Sequence, residues 1–346
     1  MRACSTCGRG LERAQHLFLV SPLNPFGTFP STPPPSRPSP NTTTEPQGKK
    51  PAASKKAAAK APLGENKSTN VSAPAGSGGR SVEEIYQKKT QLEHILLRPD
   101  TYVGSCEKTE ALAWVYDKEL NKLVQRQMSF VPGLYKIFDE ILVNANDNKV
   151  RDPTMSTLRV DIDSEAGIIR VYNDGNGIPV QMHKEEGVYV PELIFGHLLT
   201  SSNYNDDEKK VTGGRNGYGA KLANIFSTEF VLETCDGSRE LRYRQVFKDN
   251  MGFTGVPVVT KCKKTDNWTC ITFKPDLSKF GMTHLEEDTV ALMCKRVYDV
   301  AGSIGKNTKI FLNGERLKVK GFSDYVDLYL EGRENAPKVG GYLSRK

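Results

Sequence analysis

The chain has 346 residues, with 48 Lys/Arg against 41 Asp/Glu and a net charge of +7, and it has room for two domains at roughly 100–200 residues each. The charge excess sits at one end: residues 1–80 hold eleven Lys/Arg, three Glu and twelve of the twenty prolines, whereas residues 81–346 carry 37 basic and 38 acidic groups. A strongly basic globular DNA reader is therefore excluded, and no run of eighteen apolar residues offers a membrane-spanning helix.

Residues 1–80 are predicted to be a disordered Pro/Lys-rich tail, because their composition cannot bury enough apolar surface to offset chain entropy. Within it, GKKPAASKKAAAKAPL (48–63) reads as a nuclear-import or phosphate-binding segment. A solvated linker is the plainer alternative, and a transit peptide is the rival for residues 1–44. The stretch 17–20 is too short for a signal-peptide core. Cys4 and Cys7 form a CxxC with no second pair nearby, and a zinc site needs four ligands. Seven cysteines at irregular spacing suit reduced thiols in an intracellular protein.

Ser81 with Glu84 reads as a capping box opening a helix to about Leu97, where Arg98-Pro99-Asp100 stops it. Pro132-Gly133 precedes a second helix over about 134–150. Residues 157–163 alternate, turn at 165–167 and return over 168–173 as a hairpin. Pro191 opens a short apolar helix. A Gly-rich segment, 213–219, leads into a helical pattern, and strands follow at 229–235, 241–247 and 268–273. Thr283 with Glu286 is expected to cap a helix to about Ala301, and 309–313 is a last strand with an Asn-Gly turn. Helices interleaved with hairpin-joined strands predict an α+β fold rather than a purely parallel sheet.

Three segments carry candidate chemistry. In the helix 134–150, Glu140, Asn144 and Asn148 share one face. Asn is a poor helix former, so this face is a candidate for function. A carboxylate with amides one and two turns away can activate a water and ligate Mg²⁺ through oxygen; a solvated polar face is the alternative. In Asn173-Asp174-Gly175-Asn176-Gly177, Asp174 is a candidate acceptor for a purine amine, with glycines admitting the base. An ordinary Asp-Gly turn is the alternative there. In Gly213-Gly214-Arg215-Asn216-Gly217-Tyr218-Gly219-Ala220-Lys221, a Gly-rich loop running into a helix presents N–H groups to an anion, with Lys221 one turn in. Neither a Walker A loop nor GxGxxG is present.

In this order, the three segments resemble the GHKL, or Bergerat-fold, ATPases. The wording of 85–105, 131–149, 199–228, 269–280 and 311–322 is similar to the ATPase domain of the eukaryotic type IIA DNA topoisomerase II family, from about Val82 to about Leu330. The resemblance implies a two-layer sandwich with a mixed, mostly antiparallel sheet and helices on one face. It also implies a tail over 1–80, an ATPase domain over 81–315 and the start of a truncated transducer domain over 316–346.

It further implies ATP and Mg²⁺ as cofactors. Glu140 would be the general base, Asn144 the Mg²⁺ ligand, and Asn148 would stand on the same wall. Asp174 would read adenine, and Ser201, Ser202 and Asn203 would bind ribose and phosphate. The segment Gly214, Arg215, Asn216, Gly217, Tyr218, Gly219, Ala220, Lys221 would wrap the triphosphate. Thr269 would sit near the base, and Tyr86 would reach the nucleotide of a second protomer. Asn146 would point away from the site. The implied function is ATP-dependent passage of one DNA duplex through another by a nuclear homodimer whose ATPase domains close as a gate. The family's Gln-Thr-Lys loop and DNA-cleaving Tyr are missing up to Lys346, which implies a fragment. The alternatives are a nucleotide-gated clamp or chaperone without DNA cleavage, and a non-catalytic dimerisation module.

Overall fold

Alternation of apolar and polar residues builds the central sheet. The computed structural model describes residues 86–198, 200 and 217–330. In β3 (Thr157–Asp163) the residues Leu158, Val160 and Ile162 are buried, and Arg159 between them is exposed. β4 (Ile168–Asp174) returns antiparallel with Ile169 and Val171 inward, the expected hairpin. The same period places Phe230 and Leu232 of β5 (Ser227–Asp236) inward, with Tyr243 and Phe247 of β6 (Leu241–Lys248) and Ile271 and Phe273 of β9 (Trp268–Pro275). Two short strands, β7 (Phe253–Thr254) and β8 (Val258–Lys261), both pair with β6, and β10 (Lys309–Leu312) pairs with β11 (Glu315–Arg316). The sheet order is β11-β10-β3-β4-β9-β5-β6-β7. Only β10 and β3 run parallel among the described pairs.

The helices cover the inner face. α3 (Pro132–Arg151) begins with Pro at its first turn and ends where Pro153 holds Asp152 in extended backbone. Its Ile137, Phe138, Ile141 and Leu142 join the inward strand residues in one apolar cluster. Leu222 and Ile225 of α5 (Gly219–Ile225) and Val297, Val300 and Ala301 of α6 (Glu287–Ser303) belong to the same cluster. So does Phe195 of α4 (Val190–Gly196), the helix opened by Pro191. The result is the expected α+β sandwich with helices on one face. No described helix is long and apolar enough to cross a membrane.

Two helix starts differ from expectation. Tyr86–Thr90 is not helical, and α1 (Gln91–Leu97) starts later, while residues 81–85 lie outside the described residues. Its capping box is Thr90 with Glu93: Thr90 Oγ1 accepts from Glu93 N at 3.2 Å, and Glu93 Oε2 accepts from Thr90 N at 2.7 Å. α2 (Asp100–Val103) follows Pro99. Helix α6 has Glu286 as N-cap, with no side-chain cap bond, and Thr283 Oγ1 instead meets His284 Nδ1 at 3.1 Å. Glu286 is drawn off to Lys108 Nζ at 2.7 Å.

Sequence reading missed one hairpin, β1 (Thr109–Asp117) and β2 (Lys122–Phe130). It stands apart from the main sheet and packs Val115 and Met128 on Leu292 of α6. The short α7 (Phe322–Asp327) was also missed. A buried ionic chain ties these helices together. Arg296 Nε of α6 donates to Asp139 Oδ1 of α3 at 2.7 Å, and Tyr325 OH of α7 donates to Asp299 of α6 at 2.6 Å. Removing one partner of a buried pair strands the other charge. Asp139→Ala is expected to cost about 3 kcal/mol, read from urea denaturation, and to slacken α3 against α6.

Candidate ATPase site

The site is organised by one row of side chains on α3. Lys136, Glu140, Asn144 and Asn148 recur every four residues and are half-buried, between flanks of buried Ile137, Ile141 and Ala145. Lys136 Nζ pairs with Glu140. Asn144 makes no hydrogen bond to any described residue, so its amide oxygen is available. Asn146 turns into the protein, 6% exposed, with an unpartnered Oδ1. Eight residues of helix carry the row about 12 Å from Glu140 to Asn148.

Each end of that row meets a glycine. At one end, a Cβ on Gly219 would overlap the end of the Glu140 side chain as it stands, a measure of how closely the start of α5 approaches the carboxylate. At the other end, Asn148 Nδ2 lies 3.4 Å from the Asp174 carbonyl, and a Cβ on Gly175 would crowd the same amide. Gly175 has φ +88°, a backbone that favours glycine. The helix, the start of α5 and the turn after β4 therefore meet along one side of α3.

The turn is held from below by residues that carry no obvious signal in the sequence. Asp152 Oδ2 accepts from Asn176 N at 2.7 Å, and Oδ1 accepts from Thr154 N at 2.9 Å. Burial pushes the Asp152 carboxyl up, but the hydrogen bonds from Thr154 and Asn176 together hold it below its ordinary value. Thr234 Oγ1 accepts from Ile178 N at 3.0 Å and sits 3.1 Å from Thr269 Oγ1. Asp236 Oδ2 accepts from Val180 N at 3.0 Å.

Two expected residues are placed differently. Asp174 does not lie on the inner face of the sheet, the face the helices cover. Its Oδ1 accepts from Ser156 N at 2.8 Å and Thr157 N at 2.7 Å, and its Oδ2 from Ser156 Oγ at 2.6 Å. Strand alternation gives the reason: Asp174 pairs with Trp268 on the outer face, and its neighbour Asn173 pairs with Thr269 on the inner face. Asn173 is 5% exposed, its Nδ2 donates to the Asp174 carbonyl at 2.9 Å, and its Oδ1 accepts from no described residue. The amide beside the named aspartate thus shares the inner face with Thr234 and Thr269.

Lys221 is not open to an anion. It is 2% exposed, and its Nζ donates to the carbonyls of Thr200 at 2.8 Å and Gly217 at 2.6 Å. Burial lowers its pKa to about 8. Gly217, Tyr218, Gly219 and Ala220 run into α5 as expected, and Tyr218 OH accepts from Gln91 Nε2 at 2.6 Å. Tyr86 is exposed. Ser201, Ser202, Asn203, Gly214, Arg215 and Asn216 lie outside the described residues.

Residues 131–279, from the N-cap of α3 to just past β9, match the family described as histidine kinase-, DNA gyrase B- and HSP90-like ATPases. The chain is 62% identical over 276 residues to DNA topoisomerase 2 of Arabidopsis thaliana, covering 78% of this chain and 19% of that protein. Against DNA topoisomerase 2 of Pisum sativum it is 61% identical over 272 residues, covering 79% and 18%. The crystal structure of the ATPase region of Saccharomyces cerevisiae topoisomerase II superposes with a TM-score of 0.71 at 56% identity, covering 72% of this chain and 66% of that one. The chain belongs to the type II DNA topoisomerase family. What it contains is the ATPase part, and it spans about a fifth of the length of the curated relatives it matches.

In this topoisomerase ATPase fold, the Lys221 staple makes a test of its own. Between about 8 and its ordinary 10.5 the unfolded chain holds a proton that the folded chain lacks, so stability rises with pH across that window. Relative to Lys221→Met, the unaltered chain is expected to gain at most about 3 kcal/mol in urea denaturation across the window. A difference that stays flat would show that the two carbonyls keep the ammonium charged.

Proposed function

We propose that this domain binds ATP with magnesium and hydrolyses it, and that in the longer protein it serves as a homodimeric gate. There it drives passage of one DNA duplex through another in the nucleus. The observation that carries the reading is the α3 row whose two ends meet Gly219 and the Gly175 turn. One wall thereby offers a carboxylate beside the phosphate-facing segment and an amide beside the base-facing turn.

Glu140 is the general base. Its carboxylate stands against the first residue of α5, where it takes the proton of the attacking water, and the ion pair with Lys136 orients it. Asn144 suits magnesium, since its amide oxygen is half-buried, one turn from Glu140 and without a hydrogen bond to any described residue. When bound, the ion offsets charge on the phosphates. Asn173 replaces Asp174 as the purine reader, with Thr234 and Thr269 beside it. Gly177 lets the turn seat against β5, because a Cβ there would overlap the Cys235 carbonyl. Ser201, Ser202, Asn203 and the segment 214–220 complete the ribose and phosphate contacts, and Tyr86 reaches the partner's nucleotide. The protein contributes positioning and charge more than covalent chemistry.

Glu140→Gln is expected to keep ATP binding and to lower hydrolysis about 10²–10⁴-fold in a phosphate-release assay. Near-normal turnover would overturn the base assignment. Titration with a non-hydrolysable ATP analogue separates the two candidates for purine reading. Asn173→Ala is expected to weaken binding about tenfold, the scale of one lost hydrogen bond to a buried group. Asp174→Asn is expected to leave nucleotide affinity near normal while lowering stability; the reverse pattern returns the role to Asp174.

A further inference from the structure

The outer face of the sheet, opposite the nucleotide site, carries an unbalanced row of cations threaded with aromatic rings. Six cations lie on its central cross-strand rows: Lys309, Arg316, Arg159, Arg170, Arg242 and Arg244, all exposed. Three carboxylates share those rows, and each is engaged. Asp174 takes the N–H groups of Ser156 and Thr157. Asp161 stands directly across from Arg170. Glu233 takes Arg242 at 2.8 Å and Arg244 at 3.9 Å. Lys309, Arg316 and Arg159 have no acidic partner among the described residues, and they cluster on adjacent strands around Phe311.

The rings are placed to work with those charges. The Arg159 guanidinium carbon lies 5.5 Å from the Tyr172 ring centroid and 5.4 Å from that of Phe311. Arg242 sits 5.4 Å over Trp268, which is 5.9 Å from Tyr172. Stacking on rings fixes the plane of Arg159 without using its N–H groups. All three rings are half-buried, so part of each remains open to solvent. On strands about 4.8 Å apart, Arg159 has Phe311 on one neighbouring strand and Tyr172 on the other.

We propose that this face is a binding site for single-stranded nucleic acid. A nucleotide chain offers a phosphate and a flat base at each step, and the alternation of unpaired cation and ring engages both. An acidic peptide would use the cations and leave the rings idle. A duplex keeps its bases stacked on one another and presents phosphates alone. The charge belongs to the face and not to the domain, which is why the near-neutral residues 81–346 accommodate it.

The test uses the full chain, without nucleotide or magnesium, so that it stands apart from the ATPase reading. A fluorescein-labelled oligothymidylate of about twenty residues, a duplex of equal phosphate number and polyglutamate are titrated by anisotropy. The basic tail contributes equally to every variant, so differences isolate the sheet. The double variant Arg159→Ala with Arg316→Ala is expected to weaken single-strand binding about tenfold or more and to flatten its salt slope by about 1.4. Tyr172→Ala is expected to weaken single-strand binding about tenfold and leave duplex binding unchanged, and Tyr172→Phe is expected to restore it. Arg159→Lys keeps the charge with a milder change and is expected to lose part of the single-strand affinity only. Urea denaturation checks that each variant folds, and Arg159→Lys carries the test if the alanine variants do not, with Tyr172→Phe as the control that keeps binding. Single-strand affinity unaltered in the charge and ring variants would overturn the proposal. So would equal losses for duplex or polyglutamate, which would make the face a general polyanion patch.

Discussion

The Glu140 carboxylate occupies the space that any side chain on residue 219 would need. That close approach marks where the start of α5 meets the middle of α3. It sets the last described glycines of the Gly-rich segment beside the Glu140 carboxylate. Two turns along the same helix, Asn148 and Gly175 repeat the arrangement with an amide in place of the carboxylate. The helix can serve as this ruler because its opposite side is locked into the core by Ile137, Phe138, Ile141 and Leu142. It is further tied to α6 by the buried Asp139–Arg296 pair. Precision at the polar row thus rests on apolar packing and one ion pair on the other faces of the same helix.

The sheet divides its work by the two-residue period of its strands. Inward residues build the core along most of their length and turn polar at one end, where Asn173, Thr234 and Thr269 stand side by side. Outward residues carry arginines and aromatic rings. A shift of one residue in register would exchange the two sets, placing charge in the core and hydrophobic groups in water. The same rule separates Asn173 from Asp174: adjacent in sequence, they serve opposite faces, one on the inner face beside Thr269 and one toward the backbone of residues 156 and 157.

Much of this could be read before any coordinates. The α+β class, the β3–β4 hairpin, helix α3 and the polar spacing on it all follow from local pattern, because helical and strand periods leave direct traces in the order of residues. The glycines were legible for the same reason. The cap of α6 was misread because Ser/Thr-x-x-Glu occurs more often than it is used, and here Lys108, far off in sequence, engages Glu286. The β1–β2 hairpin escaped because its burial comes from α6, far along the chain, and not from its own alternation.

By itself the sequence determined which residue types were on hand: a carboxylate and amides at helical spacing, glycines at the close approaches, and relatives similar enough to assign the family. Tertiary structure alone decided which of two neighbouring residues lies on the inner face of the sheet, that Lys221 is buried beneath two carbonyls, and that Asp152, Asp236 and Thr234 brace the turn. Those outcomes depend on strand register and on contacts between segments tens of residues apart. A linear pattern records what each residue can do; only the packed chain settles which partner it meets.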